Sequence, residues 1–182
     1  MHPNDSEILQ KFAEERTRNE AFNLLLKKYQ QKIYWHIRRL VIDHDDADDL
    51  VQEVFVKVWK NLANFRNDSQ LYTWLYRIAT NECITFLNRK KLKNNISLDD
   101  VGYDLADTLA DSAYFDGDKA QMKLQKALLT LPEKQRLVFN MKYFDDLKYE
   151  EISDILGTSV GALKASFHLA VKKIEQYLLN ID

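Results

Sequence analysis

The chain has 182 residues, of which 46% are hydrophobic and 30% charged, with 4 Gly and 2 Pro. Its formal net charge of −2 argues against a protein that grips duplex DNA unaided through many phosphates, so any DNA affinity must be local or assisted by a partner. The single cysteine, Cys83, leaves no intrachain disulfide and no cysteine-based metal cluster, and without a signal sequence or a run of about 18 apolar residues the expected compartment is the cytoplasm.

Few Gly and Pro and long helical periods predict an all-α fold, with two small helical domains joined by an acidic flexible linker. Residues 1–18 are polar around Ile8, Leu9 and Phe12, which reads as a short helix or a frayed start. Phe22, Leu25, Leu26, Tyr29, Ile33, Ile37, Leu40 and Val41 recur at helical spacing and predict an amphipathic helix from about Asn19 to Val41. An acidic run, Asp43 to Asp49, follows. It lacks the turn glycine and distant glutamate of a calcium loop. Acids also suit a helix N-terminus, where they meet the positive end of the macrodipole. No metal is expected there. The next helix packs through Leu50, Val51, Val54, Phe55, Val58 and Leu62. Asp49, Gln52, Glu53, Val56 and Lys60 fall on its opposite face, which is either solvated or, since Val56 stands among acids, a docking face.

From Phe65 to Lys91 a polar turn, Arg66-Asn67-Asp68-Ser69, runs into another helix. Leu71, Leu75, Ile78, Ala79 and Phe86 share one face, which reads as core. Thr73, Trp74, Arg77, Asn81 and Asn88 gather on a second, followed by Arg89, Lys90 and Lys91. An aromatic plane, an amide, a hydroxyl and a cation suit unpaired bases and a phosphate backbone. A core helix with a decorated solvent side has the same pattern. Trp35, Trp59 and Trp74 all precede residue 75 and predict one aromatic-rich core for the N-terminal helices. Cys83, between Glu82 and Ile84, reads as a packed thiol.

Between Leu92 and Asp118 the helical period fades. Asp99, Asp100, Asp104, Asp107, Asp111, Asp116 and Asp118 face one lysine, Lys93, and Gly102 and Gly117 sit among them. This is the predicted linker, with apolar anchors at Ile96, Leu98, Val101, Leu105 and Leu109. The domains it divides are residues 1–91 and 119–182. Order resumes with Met122, Leu124, Ala127, Leu128 and Leu131, in a helix stopped by Pro132. A second helix from Glu133 to about Phe144 buries Leu137, Val138, Met141 and Phe144. A third carries Tyr149, Ile152, Ile155 and Leu156 and ends at Gly157, suited to a left-handed cap. Thr158-Ser159 offers an N-cap to a fourth, with Val160, Leu163, Phe167, Ala170, Val171, Ile174 and Leu178 as its stripe. Helix, glycine turn, helix from Tyr149 to Leu178 is the helix-turn-helix pattern, whose second helix enters the major groove. Its outer face holds Ala162, Ala165, His168, Leu169 and Lys172, flanked by Lys164 and Lys173; an ordinary helical hairpin is the plainer reading.

Both halves resemble the extracytoplasmic-function sigma factors, promoter-specificity subunits of bacterial RNA polymerase. The first half is similar to region two through Ala21-Phe22-Asn23-Leu24-Leu25, Asp49-Leu50-Val51-Gln52-Glu53-Val54-Phe55, the turn Phe65 to Ser69, and Tyr72 to Ala79 with Asn81. The second is similar to region four through Leu131-Pro132-Glu133, Tyr149-Glu150-Glu151-Ile152 and Val160-Gly161 leading to Lys164. The resemblance implies a non-enzymatic protein without cofactor that directs promoter-specific initiation. Its implied partners are core RNA polymerase (the β′ clamp helices and the β subunit), promoter DNA and an anti-sigma factor, often membrane-bound in the family, that occludes surfaces between the two domains. The chain itself would not insert into the membrane. Asp49, Gln52 and Glu53 would dock on the β′ clamp helices. Phe65, Arg66, Asn67, Asp68 and Ser69, with Trp74, Arg77 and Asn81, would bind the single-stranded −10 element and capture a flipped base. Lys164, Ala165, His168, Leu169 and Lys172 would read the duplex −35 element. The linker acids would run toward the polymerase active site and mimic nucleic acid.

The chain departs from the family at the recognition helix. Ala162 stands where Thr is usual, and Ser166, Leu169 and Val171 stand where arginines are common. Fewer guanidinium forks mean fewer bidentate contacts to guanine and phosphate. A weaker or differently composed −35 site is expected, read in part through thymine methyls. The segment Leu147-Lys148-Tyr149 also lacks the usual Ser cap. Two other function classes compete with this one. A free-standing helix-turn-helix regulator explains the second half but not the aromatic and amide face of the first. An enzyme finds no support, because His2, His36, His44 and His168 form no ligand spacing and no nucleophile–base pair or phosphate loop is present.

Overall fold

The computed structural model describes residues 4–94 and 119–180, and every regular element among them is helical. The helices are α1 (Asp5–Ala13), α2 (Arg18–Val41), α3 (His44–Asn61), α4 (Leu71–Asn94), α5 (Lys119–Leu129), α6 (Glu133–Phe139), α7 (Tyr149–Leu156) and α8 (Val160–Leu179). A short 3-10 turn, Leu62–Asn64, follows α3, and a π turn, Asn140–Phe144, extends α6. The first three residues of the expected linker, Leu92 to Asn94, belong to α4. The rest of it, with its acids and apolar anchors, lies outside the described residues.

The start of the chain is a capped helix. Asn4 accepts from the Glu7 N–H at 3.0 Å, and the Glu7 carboxylate accepts from the Asn4 N–H at 3.1 Å. Ile8 and Phe12 then bury one face of α1 against α2, and Asp5 accepts from Lys28 and from the Tyr29 hydroxyl. α2 ends at Ile42, a buried β-branched residue at φ 68°, a conformation strained by about 1–3 kcal/mol. Asp43 follows, and its carboxylate accepts from the Asp46 N–H at 2.9 Å. The acidic run thus opens a helix, as its sequence suggests.

α4 is the central helix: α2, α3 and α7 all pack on it. Leu71, Leu75, Ala79, Cys83 and Leu87 are buried on it, but so are Thr73, Tyr76 and Thr80. Burial pushes the Cys83 thiol up, away from the thiolate form, so the residue is a packing group rather than a nucleophile. The single aromatic core expected from the tryptophans is not what forms. Trp59 meets Phe12 and Phe22 edge-on, Trp35 meets Tyr34, and Trp74 meets Phe65, in three separate places near the surface.

In the C-terminal half, Gly157 caps α7 at φ 63°, and its N–H donates to the Ser153 carbonyl at 2.8 Å. Ser159 then accepts from the Ala162 N–H at 3.3 Å and starts α8. The Ser cap missing before α7 is offset by Glu151, whose carboxylate accepts from the Lys148 N–H at 2.7 Å. A Cβ on Gly157 meets nothing within 4 Å, so only the backbone resists a larger residue there. Gly157→Ala should therefore destabilise the fold by about 1 kcal/mol in urea unfolding.

The two halves pack together. α7 lies against α4, and one buried cluster runs from Ile8 of α1 to Leu163 of α8. A second cluster of Ala127, Leu128, Leu131, Phe139, Ala170 and Ile174 closes the C-terminal half.

Candidate nucleic-acid and polymerase interfaces

Three exposed faces carry the residues singled out in the sequence. The first is on α3. Asp49, Gln52 and Glu53 are exposed, and Val56 beside them is 51% exposed. Their spacing puts them on one side of the helix, while Leu50, Val51, Val54 and Val58 hold the other side in the core. Gln52 also lines a shallow groove of about 420 Å³ between α2 and α3, with Lys27, Gln30 and Gln31. The face is thus acidic with an apolar centre, and amides border it.

The second face joins the turn after α3 to α4. Phe65 leaves the 3-10 turn and packs on Trp74, with ring centroids 5.3 Å apart and planes at 50°. That contact pins the turn to the helix. Arg66, Asn67 and Asp68 are exposed and Ser69 is half-buried. Asn67 takes φ 57°, which asparagine tolerates better than most residues. Trp74 and Arg77 are half-buried, Asn81 is exposed, and the Arg77 Nε is buried without a hydrogen-bond partner. Positions 74, 77 and 81 share one side of α4 and span about 10 Å along it. The turn and the helix therefore meet as one strip of amide, guanidinium and aromatic groups. Thr73 is not part of it. It is 1% exposed and turned inward, because α4 is covered on more sides than an ordinary amphipathic helix.

The third face is on α8. Lys164, Ala165, His168, Leu169 and Lys172 are all exposed, and Leu163, Ala170 and Ile174 anchor the helix from behind. Lys164 Nζ stands 5.8 Å from the Tyr149 ring centroid, which leans it toward α7. The arginine deficit is smaller than the sequence implies. Leu169 is 47% exposed, but Ser166 is half-buried and Val171 packs on the second cluster. An arginine at 171 would start from an inward-leaning position. Sequence reasoning missed the contacts between the halves. Their clearest signal was His36 standing inside the apolar period of α2.

Comparison with known proteins bears on both halves of the chain. The family Sigma-70 region 2 matches residues 25–93, and Sigma-70, region 4 matches residues 121–174. The chain is similar to the RNA polymerase sigma-H factor of Pseudomonas aeruginosa, at 32% identity over 87% of this chain and 86% of the relative. It is similar to the ECF RNA polymerase sigma-E factor of Haemophilus influenzae, at 31% identity over 86% of each. Its fold resembles the sigma factor RpoE of Bartonella quintana, solved in complex with the anti-sigma factor NepR. That likeness has a TM-score of 0.69 and 23% identity, and covers 86% of this chain and 96% of the other.

Proposed function

We propose, from the premise that this chain belongs to the ECF RNA polymerase sigma factors, a division of promoter-specific initiation among its three faces. The protein is a non-enzymatic initiation factor that works with core RNA polymerase on promoter DNA. None of its described helices is long and apolar enough to cross a membrane, and its place of work is the cytoplasm, with the polymerase.

The acidic face of α3, Asp49, Gln52 and Glu53, docks on the β′ clamp helices. The strip from Phe65 to Ser69 with Trp74, Arg77 and Asn81 captures an unpaired base of the −10 element. The outer face of α8 reads the −35 element. The observation that carries this reading is that each of the three faces presents exposed polar residues, Asp49 and Glu53, Arg66, Asn67 and Asn81, and Lys164 and His168, on helices or turns held from behind by buried residues. Flipping a base out of the stack costs a few kcal/mol. Stacking on an aromatic returns about 1–3 kcal/mol per base. The two nearly cancel, so melting depends on the polymerase, and a net charge of −2 fits a factor that binds DNA only in that company. An anti-sigma factor is the third partner we assign; the Bartonella protein of similar fold was solved with one.

The test is transcription by core polymerase with and without this chain. Initiation at a defined start site should need it. Equal initiation without it would end the sigma reading. A narrower result is expected at α8. Lys164→Ala and Lys172→Ala should each weaken −35 duplex binding by the holoenzyme several-fold and lower the salt slope of log K by about one. An unchanged slope in both would remove these lysines from the phosphate contacts.

A further inference from the structure

The outward face of α8 divides lengthwise into two columns. Lys164, His168 and Lys172, each four residues from the next, make a polar one, and all three are exposed. Ala162, Ala165 and Leu169 make an apolar one beside it, at spacings of three and four residues. These three are exposed as well, Leu169 by 47%. Lys164 does not lie across the apolar column: its Nζ is drawn toward α7, 5.8 Å from the Tyr149 ring centroid. Lys142 Nζ stands 5.5 Å from the same centroid, so two cations gather at that edge. No acid occurs on α8 before Glu175. Gly161 has open space where a Cβ would sit. Packing within the chain asks for no glycine there, and its absence of a side chain lets the first turn of α8 approach another surface closely.

Cations at the edge suit phosphates, and phosphate contacts set the register of a helix in the groove. What then faces the base edges is a strip of apolar side chains about 10 Å long, or about three base-pair steps. The thymine methyl is the one apolar group that the major groove presents. A G·C pair opposite the strip would give up water from its donors and acceptors and gain no partner. The strip therefore selects in two ways, by burying methyl groups and by leaving other pairs unsatisfied. Leu169 is its only side chain longer than a methyl, so it carries most of the contact.

We propose that Leu169, with Ala162 and Ala165, specifies a run of thymines in the −35 element through contact with their methyl groups, where a guanidinium would specify guanine. The inference rests on the sigma reading above and names what the α8 face of that reading selects.

The test selects linear promoter duplexes, randomised across the −35 and −10 windows, with core polymerase plus the full chain and with core alone. The −35 window should enrich neighbouring thymines on one strand. Replacing each by deoxyuridine removes only the methyl and should weaken binding about fourfold per site. With Leu169→Ala the penalty at one of these sites should fall to within about 1.5-fold, since the methyl there has lost its partner. Leu169→Arg should instead prefer guanine to thymine at that site by about 10-fold or more. Both variants change an exposed side chain, so helical circular dichroism and the selected −10 sequence should stay as in wild type. A −35 window enriched in G·C pairs, deoxyuridine tolerated by the wild type, or a penalty that Leu169→Ala leaves intact overturns the inference while the sigma reading stands. No sequence enriched over core alone would overturn the sigma reading, and this inference with it.

Discussion

Reversing two charges on α3 together, as Asp49→Lys with Glu53→Lys, should lower affinity for core polymerase by about 100-fold in a fluorescence-anisotropy titration. The two carboxylates are one helical turn apart on the same exposed side, beside Val56 at 51% exposure. An apolar centre with charged neighbours is the arrangement in which a like-charge mismatch is most harmful, since basic groups complementary to this acidic face would then be held against added lysines. Loss should come partly through slower association and should shrink as salt rises. Neither side chain touches the core, so thermal stability should stay within about 0.5 kcal/mol of wild type. A fall in stability with affinity intact would make this face a structural one. Unchanged affinity would make it merely solvated.

Asn81→Ala should reduce open-complex formation by about 10-fold or more and leave closed-complex binding within about twofold. Asn81 is exposed at the end of the strip that Trp74 and Phe65 build. An amide there can satisfy a base edge only after the base has left the duplex. Its loss therefore acts on the melted state, and one hydrogen bond to an otherwise unpaired base is worth about 1–2 kcal/mol. Trp74→Ala removes the stacking plane and should have a larger effect in the same direction. It also strips the Phe65 ring of its contact, so Trp74→Phe serves as the control that keeps the turn in place. Permanganate reactivity of unpaired thymines, set against filter binding, separates the two steps. Equal losses in both would count against base capture.

The helices were legible because their apolar periods are long and their caps are ordinary. Asp43, Gly157 and Ser159 do what their residue types favour. The α3 face was legible for the same reason: one side of that helix is buried and the other is not. α4 was legible only in part. A helical wheel assumes one wet side, and α4 is packed on by α2, α3 and α7, so the wheel puts Thr73 outward although the residue is buried. Val171 shows the same limit on α8, where the position at which the resemblance expects an arginine packs on the second cluster. The contact between the two halves was not legible at all. His36 sits in a stripe with Ile33, Ile37 and Leu40, where a histidine reads as an intruder in a core, and its carboxylate partner is 109 residues away in sequence. Pairing over that distance leaves no periodic trace.

Capture of a single strand is the claim on which the account turns, and one binding measurement addresses it directly. The polymerase with this chain, and core polymerase alone, are titrated with the non-template strand of the −10 element as a single-stranded oligonucleotide and as a duplex. The strand should bind only when the chain is present, more tightly than its duplex, and Asn81→Ala should weaken it about 10-fold. Equal binding by core alone, or a preference for the duplex that Asn81→Ala leaves untouched, would contradict it.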